Sequence, residues 1–238
     1  AATFSFSWYF FKEYVIQLVS IFALVYIAWM YCKSYWESHE KLSTTETSFL
    51  KFKRNPTLFK TLLEEQSVIN PKVIPDQLRI VFGNPNGAIK LQGVTNPLCG
   101  FCTAAFESYD KLMTTYGNDI QLEFIFNVPP NAENKSTQIA SQLIDLYLKD
   151  PKISYVALQD WFADRNVDTW QAKYGISESS MVLEYLEAHR EWCDINDVHY
   201  TPASILNNQF FPKSYEIKDL PLFIQDMILE LKVEDEQA

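Results

Sequence analysis

The stretch Val94-Thr95-Asn96-Pro97-Leu98-Cys99-Gly100-Phe101-Cys102 decides how the rest of the chain is read. It follows a strand-like run, Ala88 to Asn96, and leads into a helical run from Cys99 to Tyr116. A helix that opens at Cys99 places that sulfur beside unpaired backbone N–H groups and a partial positive charge. Both favour thiolate over thiol, so Cys99 is expected to ionise below the free thiol value of about 8.5. A thiolate is the species that attacks a disulfide. Cys102 lies one turn further along, within reach of a mixed disulfide formed on Cys99.

A lone C-x-x-C also fits half of a zinc site. Here the competing set is Cys99, Cys102, His189 and Cys193, the last two sharing a face of a predicted helix. The plainer expectation makes Cys193 a small buried apolar residue and lets His189 pack on its helix. No metal is therefore expected. Thr201-Pro202 stands before the strand-like Ala203 to Leu206. X-Pro bonds adopt the cis form at modest cost. A cis proline facing the cysteines would offer a backbone edge to an extended substrate. An ordinary strand-opening proline is the alternative.

Working outward, Ile120, Leu122, Phe124 and Phe126 alternate as in a strand. Helices are predicted near 135–149, 152–163, 166–173 and 178–195. Asn207-Asn208 reads as a hairpin turn between Ala203–Leu206 and Gln209–Phe211. Asp219 to Leu231 reads as a closing amphipathic helix, with a frayed acidic tail from Glu234 to Ala238. Residues 67–87 hold Pro71, Pro75, Pro85, Gly83 and Gly87 and read as an extended linker. Residues 37–66 read as two helices broken at Asn55-Pro56, because the residue before proline resists the α conformation.

The N-terminal part is membrane-like. Tyr14 to Cys32 carries no charge, and about 20 apolar residues span a bilayer core as a helix. Trp8, Tyr9, Trp29, Tyr31, Tyr35 and Trp36 flank it like interfacial belts. A buried core helix is the alternative. A cleaved signal peptide fits poorly, since no basic segment precedes the span. The first residue is Ala1 rather than Met, as expected of a processed product or a piece of a longer protein. The expected organisation is a transmembrane helix with flanks over 1–36, a linker over 37–79, and an α/β domain over 80–238 with a helical insert near 135–195.

Composition excludes other classes. The formal net charge of −10 repels phosphate backbones, so nucleic acid is not an expected partner. Only six glycines occur, and no glycine-rich loop opens a helix. Four cysteines are too few for a disulfide-stapled miniature domain.

The order of strand, C99-G100-F101-C102, helix, then Thr201-Pro202 on a strand pair, then a closing helix resembles the thioredoxin superfamily. The long helical stretch before Thr201 is similar to DsbA-type proteins. The span, L50-K51-F52-K53-R54-N55, FGNP, VTNPLCGFC, EWC and YTPA together resemble the C-terminal portion of bacterial vitamin K epoxide reductase fusion proteins. The resemblance implies a thioredoxin-like central sheet with a helical insertion, and protein thiol–disulfide oxidoreductase activity. It implies Cys99 as nucleophile and Cys102 as resolving thiol, with Gly100, Phe101, Thr201 and Pro202 at the substrate. It implies no cofactor in this chain beyond a Cys99–Cys102 disulfide. Electrons would pass from protein substrates to a quinone-reducing membrane partner of vitamin K epoxide reductase type. Many relatives carry a buried acid six residues before the nucleophile, where this chain has Gly93; Glu123 is an acid available to substitute. The residues between the cysteines include no His, which implies a less oxidising couple than DsbA-type proteins.

Lys33, Lys41, Lys51, Lys53 and Arg54 follow the span, and by charge alone they would face the cytoplasm. Dithiol oxidation is useful outside it. The expectation is a single-pass protein of the bacterial inner membrane with its soluble domain on the periplasmic side.

Overall fold

The computed structural model describes residues 2–130 and 133–237; the side chains of residues 2–13, 72 and 232–237 lie outside that description, as do Ala1 and Ala238. The chain divides into two compact units at Asn55–Pro56.

The first unit is one helix, α1 (Ala2–Lys53). It runs without a break through residue 36, where separate helices were expected. A window within Tyr14–Lys53 has a mean hydropathy of 2.0 and no buried residue, long and apolar enough to cross a membrane. The core-helix alternative fails, because the apolar side chains from Tyr14 to Trp36 are exposed. Trp29, Tyr31, Tyr35 and Trp36 are among them; the side chains of Trp8 and Tyr9 fall outside the described ones. The helix ends at the expected place, before Pro56.

The second unit starts at Pro56, not near residue 80. Helix α2 (Pro56–Glu64) buries Phe59 and Leu63, four apart on one face. Phe59 stacks on Phe223 (4.2 Å between ring centres) and meets Tyr215 edge-on. Ile69, Ile74 and Leu78 are buried too. The supposed linker is therefore part of the core. Val68 bridges Gln209 and so covers a sheet edge.

Five strands form one mixed sheet: β1 (Val81–Gly83), β2 (Ile89–Thr95), β3 (Ile120–Phe126), β4 (Ala203–Leu206) and β5 (Gln209–Phe210), in the order β1-β3-β2-β4-β5. β2 and β3 are parallel, with Gly93 opposite Phe124; the other pairings are antiparallel. β3 is buried nearly throughout, as a central strand covered on both faces must be. β1 was not foreseen; three residues carry too little periodicity. Asn207 and Asn208 both have positive φ (48° and 69°), as the two-residue turn requires.

Helix α3 (Cys102–Tyr116) connects β2 to β3. Helices α4 (Lys135–Lys149), α5 (Pro151–Asp164), α6 (Val167–Tyr174) and α7 (Met181–Ile195) stand between β3 and β4, as the expected insert. Asn134, Asp150 and Asn166 cap the first three through side-chain oxygens on backbone N–H groups. The closing helix differs from expectation. Pro221 falls in a 3-10 turn, Ile217–Leu222, and α8 (Ile224–Gln237) begins only after it. Proline cannot donate the N–H that an α-helix interior needs.

His189 on α7 is fully buried, and its Nδ1 accepts the Phe126 N–H at 3.2 Å. Burial lowers its pKa from 6.5 to about 4, against a smaller upward pull from the Leu78 backbone. The unfolded chain therefore takes up this proton at a higher pH than the native one. Stability is full above pH 6.5 and falls as pH drops towards 4, by roughly 3 kcal/mol from this residue. Urea unfolding across that window should show the loss, and His189→Asn, which keeps an acceptor, should flatten the slope. An unchanged slope in the variant would contradict this role.

Candidate active site

The loop before α3 is built by Asn96. Its Oδ1 accepts the Leu98 N–H (3.0 Å) and the Ser136 hydroxyl (2.6 Å), and its Nδ2 donates to the Asn127 carbonyl (3.1 Å). Its backbone carbonyl accepts the Cys99 N–H, and the Cys99 carbonyl accepts the Cys102 N–H. These successive turns delay the helix. It begins at Cys102 rather than at Cys99. Cys99 thus lies just outside the first turn.

Both cysteines are free thiols. Cys99 is partly exposed, while Cys102 is 1% exposed. The Cys99 thiol donates to the Thr201 carbonyl at 3.3 Å, and the Thr201–Pro202 peptide bond is cis. Desolvation is the largest influence on Cys99 and raises its pKa. Hydrogen bonds with the Thr201 side chain, the Cys102 thiol and the backbone N–H groups of Cys102 and Phe101 outweigh it, leaving the value lowered. Cys102 is shifted the other way: burial raises it, against smaller downward pulls from Asn96 and Thr95. An outer thiol that ionises early beside an inner one that ionises late is the asymmetry that sequential attack requires.

The four residues expected at the substrate come together here. Phe101 is 82% exposed beside Cys99. A Cβ on Gly100 would meet nothing within 4 Å, so that flank is open to an incoming chain. Pro202 and Phe101 line a groove of about 540 Å3, with Tyr200, Phe210, Phe211 and Tyr215.

Sequence reasoning missed the grip of the helical insert on this loop. Trp161 Nε1 donates to the Pro97 carbonyl (2.8 Å). Arg165, in a left-handed conformation at the end of α5 (φ 57°), donates through Nη1 to the Cys99 carbonyl and the Thr103 hydroxyl, both at 2.9 Å. More than sixty residues separate these partners, and no local pattern announces them. The guanidinium brings a fixed positive charge to the Cys99 backbone.

Two alternatives left open by the sequence do not hold. The zinc set does not assemble: among the described residues no group of three or more His, Cys, Asp or Glu is placed to hold a metal ion. Cys193 is buried with its pKa pushed up to about 12, and His189 is engaged by Phe126. Glu123 does not substitute for the missing acid. It is 1% exposed, paired to Arg79 and hydrogen-bonded by Gln92 (2.7 Å). Strand alternation puts it on the opposite sheet face from Gly93 and Phe124.

Neither a protein-family model nor a curated relative matches this sequence. Solved structures do. ScsC of Proteus mirabilis, in a transitional conformation, superposes with a TM-score of 0.58 at 14% identity, over 79% of this chain and 90% of that one. A periplasmic thioredoxin-like protein of Salmonella enterica serovar Typhimurium gives 0.55 at 14% identity, over 68% and 99%. The thiol-disulfide exchange protein α-DsbA2 of Wolbachia pipientis gives 0.51 at 15% identity, over 74% and 96%. The fold is thioredoxin-like. Within this thioredoxin-like domain Cys99 meets the residue before the cis proline, and Phe101 and Pro202 carry that meeting point into the groove.

Proposed function

We propose that this chain is a membrane-anchored protein thiol–disulfide oxidoreductase, with Cys99 as nucleophile and Cys102 as resolving thiol. The observation that carries the reading is the asymmetric pair itself: an accessible Cys99 of lowered pKa against Thr201–Pro202, backed by a buried Cys102 of raised pKa. The thiol-disulfide exchange protein among the structural neighbours supports the same reading.

In the oxidising direction a substrate thiolate attacks the Cys99 sulfur of the Cys99–Cys102 disulfide. Cys102 leaves as thiolate and takes a proton. A second substrate thiolate then attacks its own mixed-disulfide sulfur, and Cys99 leaves with the electron pair. The substrate has lost two electrons and the pair has gained them. The groove beside Pro202, with Phe101, Tyr200 and Phe211, suits an extended segment with apolar side chains around its cysteine. The α1 span supports a membrane anchor, and the periplasmic neighbour supports a soluble domain outside the cytoplasm. The reduced pair would then pass its electrons to a quinone-linked membrane protein of vitamin K epoxide reductase type, a partner suggested by the sequence motifs. The quinone belongs to that partner.

Mixed in its disulfide form with a reduced dithiol peptide, the chain should gain the Cys99 and Cys102 thiols as the peptide gains a disulfide. A chain that keeps its disulfide beside a peptide that keeps both thiols at neutral pH would overturn the reading.

A further inference from the structure

Resolution and its reverse both require the buried Cys102 to lose or gain a proton, and a sulfur this enclosed has no direct access to water. The groups behind it are hydroxyls. Thr95 Oγ1 is buried with no hydrogen-bond partner among the described residues, and its hydroxyl pulls the Cys102 pKa down. Tyr109 stands seven residues after Cys102 on α3, on the same face, and helical side chains lean back towards the N-terminus. Its hydroxyl pairs with Ser204 Oγ at 2.6 Å. Ser204 lies opposite Gly93 in the sheet and also lines the open groove.

Gly93 makes this arrangement possible. A Cβ there would come within 2.9 Å of the Tyr109 ring and 3.2 Å of Phe124. Both are rigid and buried, so a carboxylate on this strand position and the tyrosine exclude each other. The charged or titratable groups around Cys102 are Cys99 on the loop, Tyr109 on its own helix and Arg165 from α5. Tyr109 stays protonated: burial raises its pKa, with a smaller downward pull from Ser204 and a further upward one from the charge of Cys102.

We propose that the Tyr109–Ser204 hydroxyl pair is the proton path between Cys102 and the groove, in place of a carboxylate. Tyr109 and Ser204 are positioning residues in this sense, since neither touches substrate sulfur. In resolution, one intervening water carries the Cys102 proton to the Tyr109 oxygen, since thiol and phenol are not directly hydrogen-bonded; Tyr109 gives its own proton to Ser204, and Ser204 gives one to groove water. The Cys102 thiolate attacks the Cys99 sulfur of the mixed disulfide. The Cys99–Cys102 bond forms, the Cys99–substrate bond breaks, and the electron pair leaves on the substrate sulfur.

The inference rests on the oxidoreductase reading, so the two steps must be read separately. Single-turnover kinetics with a disulfide peptide and the reduced full chain separate attack by Cys99 from release by Cys102. In Tyr109→Phe, attack should keep its wild-type rate and pH profile, while release at neutral pH should slow by about 10-fold or more. Release should recover as pH rises, because hydroxide replaces the relay. Ser204→Ala should shift release in the same direction and gives an independent reading if the first variant folds poorly. Wild-type release in both variants at every pH would overturn the relay and leave the oxidoreductase reading intact. No attack by the wild-type chain would overturn the reading itself.

Discussion

Cys102→Ala should convert the chain from a catalyst into a trap. Cys99 loses the hydrogen bond to the Cys102 thiol but keeps its partly exposed position, Thr201 and the backbone N–H groups of residues 101 and 102, so attack on a substrate disulfide continues. The intramolecular nucleophile that ends the reaction is gone. Well-oriented intramolecular groups reach effective molarities of about 10^5 M or more, so millimolar external thiol does not replace Cys102. Turnover should fall to the background of uncatalysed exchange, and a covalent adduct should accumulate towards one per chain. Non-reducing electrophoresis and intact mass would show it. Cys99→Ala should lose both turnover and adduct. Adduct formation through Cys193 in that variant would contradict the assignment, since Cys193 is fully buried and its pKa is pushed up to about 12.

Phe59→Ala should cost about 3–5 kcal/mol of stability, as expected for truncating a fully buried aromatic ring. Phe59 is 2% exposed; it stacks face to face on Phe223 and sits edge-on to Tyr215. Its partners come from the far end of the chain, so α2 ties the start of the domain to its finish. The urea midpoint should move accordingly, and a soluble segment that begins near residue 80 should fail to fold cooperatively. A segment beginning at Pro56 should fold. A loss within 0.5 kcal/mol, the range of ordinary surface changes, would mean that residues 56–79 are linker after all.

These two expectations differ in how far sequence alone foretold them. The cysteine pair, the strands at Ile89–Thr95 and Ile120–Phe126, and the Asn207-Asn208 turn are local features, each readable from a few neighbouring residues. So was the helical insert, whose four segments carry a helical period. Features that depend on distant partners were not legible. Phe59 and Leu63 are four apart in a short, charged segment, and only Phe223 and Tyr215 show what they bury against. Arg165 and Trp161 look like the ordinary end of a helix until the Pro97 and Cys99 carbonyls are placed beside them. The start of α3 was misplaced by three residues, because the Asn96 side chain draws Leu98 into a turn first. Gly93 read as a missing acid; the structure shows it as room for Tyr109.

The central claim is that Cys99 and Cys102 form a reversible two-electron couple. Equilibrating the full chain in glutathione buffers, then quenching and counting thiols on these two residues, tests it directly. The pair should titrate between disulfide and dithiol with a tenfold change in ratio for every 29.6 mV or so. Its midpoint should fall between the DsbA and thioredoxin values of about −120 and −270 mV. Thiols at Cys99 and Cys102 that never pair across that range, or pair instead with Cys32 or Cys193, would contradict the account.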